Sequence, residues 1–194
     1  LSQTNTIKVT TGKELYNYQK IAIEEIFQKF DSAVDDYHLL YQLPTGGGKT
    51  VIFSEIVRRY ISKFNKKVLV LTHRIELSKQ TSNMLNEFGV PNKVINSTAK
   101  LDDQDNYDCF VAMVETLKNR LNDDKLDISD IGLVIVDEAH YNSFTKIFKF
   151  FDDSFILGVT ATPLSSNIKL PMYENYQELY VGETIEDLIE NSYL

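Results

Sequence analysis

The sequence predicts an α/β fold, a mostly parallel central sheet with helices on both faces, and three observations lead there. Short β-branched apolar runs recur along the chain, longer amphipathic stretches separate them, and a glycine-rich turn joins the first run to a helical stretch. Runs apolar at every position suit strands buried on both faces, whereas apolar residues three and four apart suit helices packed on one face.

Taken in chain order, "YQKIAIEEIFQKF" (18–30) reads as a helix, "LLYQLP" as a strand over 39–43, and "TVIFSEIVRRYISKF" (50–64) as a helix. "KVLVLT" (67–72) is a strand, "IELSKQTSNMLNEF" (75–88) a helix, "CFVAMV" (109–114) a strand and "ETLKNRL" (115–121) a helix. "LVIVDE" (133–138) and "FILGVT" (155–160) are further central strands. Strand followed by helix, repeated, implies right-handed crossovers in a doubly covered sheet.

The chain has 194 residues, without an internal repeat or a Pro-Gly linker, so one domain over 1–194 is expected. A chain of that size buries roughly 70% of the surface it would expose unfolded. Hydrophobic residues at 43% and charged residues at 25% are the ordinary globular balance. The longest apolar runs, "LVIV" and "VLVL", fall far short of the ~20 residues of a membrane helix. Leu1 opens no signal-like segment, so a cytoplasmic location without a membrane partner is expected. The one cysteine, Cys109, lies in an apolar run and reads as a buried, inert thiol.

The net charge of −8 argues against a general electrostatic grip on nucleic acid. Many of the acids lie in "LDDQDNYD" (101–108) and "NDDKLDISD" (122–130), which read as solvated connections, so any nucleic-acid contact must be local. Arg58, Arg59, Lys63, Lys66 and Lys67 form a basic cluster, but they precede the strand at 67–72 and so fall at its amino end. They read as a solvated surface.

"LPTGGGKT" (43–50) places three glycines between a strand end and a helix start. Glycines let successive N–H groups turn inward on an anion, and the helix amino terminus adds partial positive charge. Thr45, Gly46, Gly47 and Gly48 would cradle phosphates, Lys49 would reach the β- and γ-phosphates, and Thr50 would ligate Mg²⁺. Leu43 occupies the first glycine position of the usual G-x-x-x-x-G-K-[ST] pattern. "LVIVDEAH" (133–140) delivers two carboxylates at the carboxyl edge of the sheet. Asp137 is the candidate Mg²⁺ holder, and Glu138 the candidate to orient and deprotonate the attacking water.

"LPTGGGKT", "VDEAH" (136–140) and "GVTATP" (158–163), in this order, resemble the first RecA-like motor domain of superfamily 2 helicases of the DEAH-box type. "LYNYQKIAI" (15–23) resembles the Gln-containing adenine motif, "VLVLTHRIELSKQ" (68–80) motif Ia, and "VAMVETL" (111–117) the motif after the next strand. The terminal "VGETIEDLIENSYL" (181–194) is similar to the segment that leads many such domains into a second RecA-like domain.

The resemblance implies an ATP- and Mg²⁺-dependent nucleic-acid motor with a RecA-like P-loop fold. Gln19 would read the adenine edge, with Tyr16 and Asn17 standing where the family often has Arg and Pro. The absence of an Asn-Lys-x-Asp guanine signature agrees with ATP over GTP. His140 would link the hydrolytic carboxylates to neighbouring motifs, and Thr160 and Thr162 would transmit nucleotide state. Thr72, His73 and Arg74, with Thr116 as a second position, would meet the nucleic-acid backbone, DNA ahead of RNA. The family's transfer-stabilising arginines come from a second RecA-like domain, so the chain alone is expected to be monomeric and to hydrolyse ATP very slowly. A protein-remodelling ATPase of the hexameric ring type also couples a phosphate loop to an apolar-Asp-Glu strand, and stands as the alternative. A small-molecule kinase conflicts with Glu138, because a water-activating carboxylate would waste ATP.

Overall fold

β5 (Ile131–Asp137) is buried at all 7 of its positions, because it lies between β2 (Lys67–Thr72) and β6 (Phe155–Thr160) with helices over both faces. Its side chains alternate between two cores: Leu133 and Ile135 face one, Val134 and Val136 the other. This is a computed structural model, and it describes residues 14–34, 36–123, 126–162 and 174–194. Pro163, the last residue of "GVTATP", lies outside the described residues.

Among the described residues, seven strands form one sheet in the order β3-β4-β2-β5-β6-β1-β7, every pairing parallel. The remaining strands are β1 (His38–Gln42), β3 (Lys93–Ile95), β4 (Cys109–Met113) and β7 (Glu178–Val181). Helices α1 (Asn17–Ser32), α2 (Lys49–Phe64) and α3 (Ile75–Glu87) cover the first core, and α4 (Val114–Asn122) and α5 (Thr145–Phe148) the second. A final helix, α6 (Ile185–Glu190), sends Leu188 into the first core.

All five central strands expected from the sequence are present. Two edge strands escaped the sequence reading, because β3 has 3 residues and β7 has 4, too few for a periodic signal. Glu138 is not part of β5: its backbone turns to φ 55°, ending the strand at Asp137. The register aligns the carboxyl ends, with Gln42 opposite Thr160, Asp137 opposite Val159 and Leu71 opposite Val136. The loops after β1, β2, β5 and β6 therefore share one edge.

The solvated reading of the basic cluster holds for Lys63 and Lys66, which are exposed, and needs correction for Arg58 and Arg59. Arg58 and Arg59 each keep only a third of their side chains exposed, and both grip Glu55, one turn earlier on α2 and 6% exposed. Lys63 pairs with Asp31 of α1. These residues tie α2 to itself and to α1. Cys109 is sealed in β4, where burial pushes its thiol up, away from the reactive thiolate.

Candidate nucleotide site and nucleic-acid face

The glycine-rich segment leaves β1 tethered to its neighbour, as Leu43 N donates to the Thr160 carbonyl at 2.9 Å. Gly46 (φ 88°) and Gly48 (φ 79°) adopt left-handed backbone, which reverses the chain before α2 starts at Lys49. A Cβ on Gly48 would stand 2.5 Å from Gln19 Nε2, so α1 packs directly on this turn. Tyr18 adds a second anchor, its hydroxyl donating to the Gly47 carbonyl at 2.6 Å. Thr45 and Gly46 are exposed on the outer side, and Thr50 is half-buried in the first turn of α2.

Gln19 is 3% exposed, and its Oε1 accepts from Tyr16 N at 2.9 Å. That bond orients the amide, leaving Nε2 against the glycine turn. Tyr193 packs at a tilt against Tyr16 and Tyr18, with ring centroids 4.7 and 5.0 Å away. Tyr16, Tyr18 and Tyr193 thus form one aromatic group, tied to the loop through the Tyr18 hydroxyl.

Lys49 Nζ donates to Glu138 Oε1 at 2.7 Å, bringing the loop and the β5 carboxylates together across 89 residues of sequence. Asp137 is 7% exposed, and its carboxyl is pushed up to about 6, first by burial and then by the adjacent Glu138, against the pull of Lys49. A buried carboxyl beside a second carboxylate fits a divalent cation, whose charge would relieve both effects. Asp137 and Thr50 are the residues here suited to hold one.

His140 joins the Glu138 carboxylate to β6. Its Nδ1 lies 2.9 Å from Thr160 Oγ1 and 3.4 Å from Glu138 Oε2. The single Thr160 hydroxyl proton goes to the Thr162 carbonyl at 2.8 Å, so Thr160 Oγ1 accepts from His140 and from Thr162 N. His140 therefore carries its proton on Nδ1. Glu138, His140, Thr160 and Thr162 form one connected chain.

On the far side of β5, the loop after β2 turns outward. Arg74 is exposed and His73 half-buried, with burial and then Arg74 pushing its imidazole down. Thr72 requires correction as a surface contact: it is 0% exposed, and its hydroxyl bonds Ser78 Oγ at 2.6 Å and the Arg74 carbonyl at 3.3 Å. It braces the turn that presents Arg74. Thr116 is half-buried in the first turn of α4. Sequence reading missed Tyr18 and Tyr141. Each stands beside a motif residue that drew the attention, and its contact is made by a ring or hydroxyl that periodicity cannot register.

The family described as "Type III restriction enzyme, res subunit" matches residues 12–165. IRC3 of Saccharomyces cerevisiae is 34% identical over 164 residues, covering 76% of this chain and 23% of that protein. ATP-dependent DNA helicase MPH1 of Scheffersomyces stipitis is 30% identical over 146 residues, covering 66% of this chain and 14% of MPH1. Among solved structures, a nuclease-deletion mutant of the Type ISP restriction-modification enzyme LlaGI, in complex with a DNA substrate mimic, superposes with a TM-score of 0.72. That match has 19% identity and covers 93% of this chain and 21% of LlaGI. The chain thus spans less than a quarter of the length of these relatives.

Proposed function

The chain belongs to the family of the type III restriction enzyme res subunit, and from that premise we propose that it is the ATP-binding half of a DEAH-type nucleic-acid motor. The observation that carries this reading is the 2.7 Å contact between Lys49 and Glu138, which unites a glycine-rich helix start with a strand-end carboxylate pair at one sheet edge. Main-chain N–H groups at Gly46 and Gly48 and the Lys49 ammonium bind the triphosphate, while the Gly47 N–H closes the turn on the Pro44 carbonyl, and Gln19 lies at the base end of the loop. Asp137 and Thr50 would hold Mg²⁺, which would neutralise charge on the phosphates. Glu138 accepts a proton from the attacking water, and His140 holds that carboxylate in register with Thr160 and Thr162.

His73, Arg74 and Thr116 are the proposed nucleic-acid contacts, directed at phosphates and so indifferent to sequence. DNA is the preferred strand, in keeping with MPH1's description as a DNA helicase and the DNA mimic bound by LlaGI. Residues 1–194 act as one RecA-like unit, monomeric and cytoplasmic, and a second RecA-like domain supplies the arginines that speed transfer by ~10³ to 10⁵.

The test is an ATPase assay on the full-length parent with single- and double-stranded DNA and RNA as stimulators, beside Lys49→Ala and Arg74→Ala. Stimulation by DNA, lost with Lys49→Ala, is the expected result. Arg74→Ala should weaken DNA binding about equally for all sequences and reduce the salt slope by ~1. ATP hydrolysis unaffected by every nucleic acid would overturn the motor reading.

A further inference from the structure

We propose that Tyr141 is the positioning residue that joins the nucleic-acid face at His73 and Arg74 to the hydrolytic pair Glu138 and His140. The inference rests on the proposed function and adds to it the route by which strand binding reaches the ATP site.

Three rings stand in a row at the carboxyl edge. His73 and Tyr141 have centroids 4.3 Å apart with planes at 34°, and Tyr141 and His140 are 4.3 Å apart at 38°. The row spans two neighbouring strands: His73 follows the last residue of β2, and His140 follows the end of β5, which pairs with β2. Tyr141 lies between them and packs on the second core.

Each end of the row is attached to one of the two functions. At the hydrolytic end, Tyr141 N donates to the Glu138 carbonyl at 3.1 Å, closing a turn that contains the left-handed Glu138. In that same turn, His140 reaches Thr160 and Glu138. Moving the Tyr141 ring therefore moves the backbone that carries the water-activating carboxylate. At the other end, His73 Nδ1 is buried and has no hydrogen-bond partner among the described residues. The Tyr141 ring, tilted at 34° against the imidazole, packs on it and helps to orient it. A phosphate drawn to the neighbouring Arg74 would shift His73, and the displacement has Tyr141 directly in its path.

The chain has 3 histidines, so their ring protons can be followed individually by NMR. His38 serves as an internal control, because it opens β1 at the opposite edge and bonds Asn175 O and Asp36. A short mixed-sequence DNA oligonucleotide is titrated into the wild type, Tyr141→Phe, Tyr141→Leu and Tyr141→Ala. In the wild type and Tyr141→Phe, both His73 and His140 resonances shift while His38 stays fixed. In Tyr141→Ala, His73 still shifts and His140 does not. Tyr141→Leu keeps the bulk without the ring, and gives the same answer should the alanine variant fail to fold. In the full-length parent, Tyr141→Ala lowers DNA stimulation of ATPase about 5- to 100-fold at unchanged DNA affinity. A His140 shift of wild-type size in both Tyr141→Ala and Tyr141→Leu would overturn the inference. Wild-type His73 resonances unmoved by DNA would instead remove the nucleic-acid face, and the inference with it.

Discussion

Lys49 and Glu138 form a direct ion pair, the ammonium 2.7 Å from the carboxylate, with side chains 12% and 26% exposed. The residue suited to bind γ-phosphate is thus engaged by the residue suited to activate water, and a triphosphate must compete with Glu138 for Lys49. Removing the competing charge should help binding and stop chemistry. Glu138→Gln is expected to bind ATP at least as tightly as the wild type while the full-length parent loses roughly 10²- to 10⁴-fold in turnover. Lys49→Ala loses binding itself. Fluorescent-nucleotide titration and single-turnover hydrolysis separate the two, and normal turnover in Glu138→Gln would remove this residue as the base.

Asp137 bears the opposite burden. Its carboxyl is buried beside Glu138 and held at about 6, so ionising it at neutral pH without a cation costs stability. Asp137→Asn keeps the shape and removes the charge. It should raise the melting temperature of the nucleotide-free chain in neutral, metal-free buffer by a few degrees, while abolishing the Mg²⁺-dependent part of nucleotide binding. A lowered melting temperature would mean that the carboxylate is structurally required.

Glu55 shows the reverse sign. Burial would push its carboxyl up, but hydrogen bonds from Arg58 (2.9 and 2.6 Å) and Arg59 (2.7 Å) more than reverse this and hold it below the ordinary 4.5. A depressed carboxylate contributes stability that is present above 4.5 and is lost as pH falls through its lower folded value. Glu55→Gln should therefore flatten the acid limb of the stability profile below 4.5. Removing both arginines should cost more than removing Glu55, on the order of 3–5 kcal/mol, because it strands a buried charge, whereas the arginines can turn to solvent. Urea denaturation across pH measures both.

The central strands, the glycine-rich turn and the strand-end carboxylate pair were legible because each is written locally, in continuous apolarity or in a short run of residue types. Glu55 and its arginines were not, since a basic cluster looks solvated until the i, i+3 and i, i+4 spacing from a buried acid is placed on a helix. Thr72 failed for a related reason. A strand-end hydroxyl has the chemistry to meet phosphate, but Ser78, one turn into α3, takes it first. The Tyr18 to Gly47 bond and the His73, Tyr141, His140 row lie between segments 29 and more residues apart, where only the fold sets the distance.

Gly48 brings backbone and packing to one atom. Its φ of 79° disfavours any Cβ, and the Cβ would stand 2.5 Å from Gln19 Nε2. Gln19 cannot easily withdraw, because it is 3% exposed and its Oε1 is held by Tyr16 N. Gly48→Ala should therefore cost the left-handed penalty of about 1–2 kcal/mol plus a clash, and weaken nucleotide binding as the loop moves. The two contributions can be divided with Gln19→Ala, which vacates the colliding atom and leaves φ unchanged. Against a Gln19→Ala background, Gly48→Ala should cost only the backbone part, so the double mutant is more stable than the sum of the singles by roughly 0.5–3 kcal/mol. Denaturation midpoints of the four proteins give that coupling, and strict additivity would show that α1 does not press on the loop at Gly48.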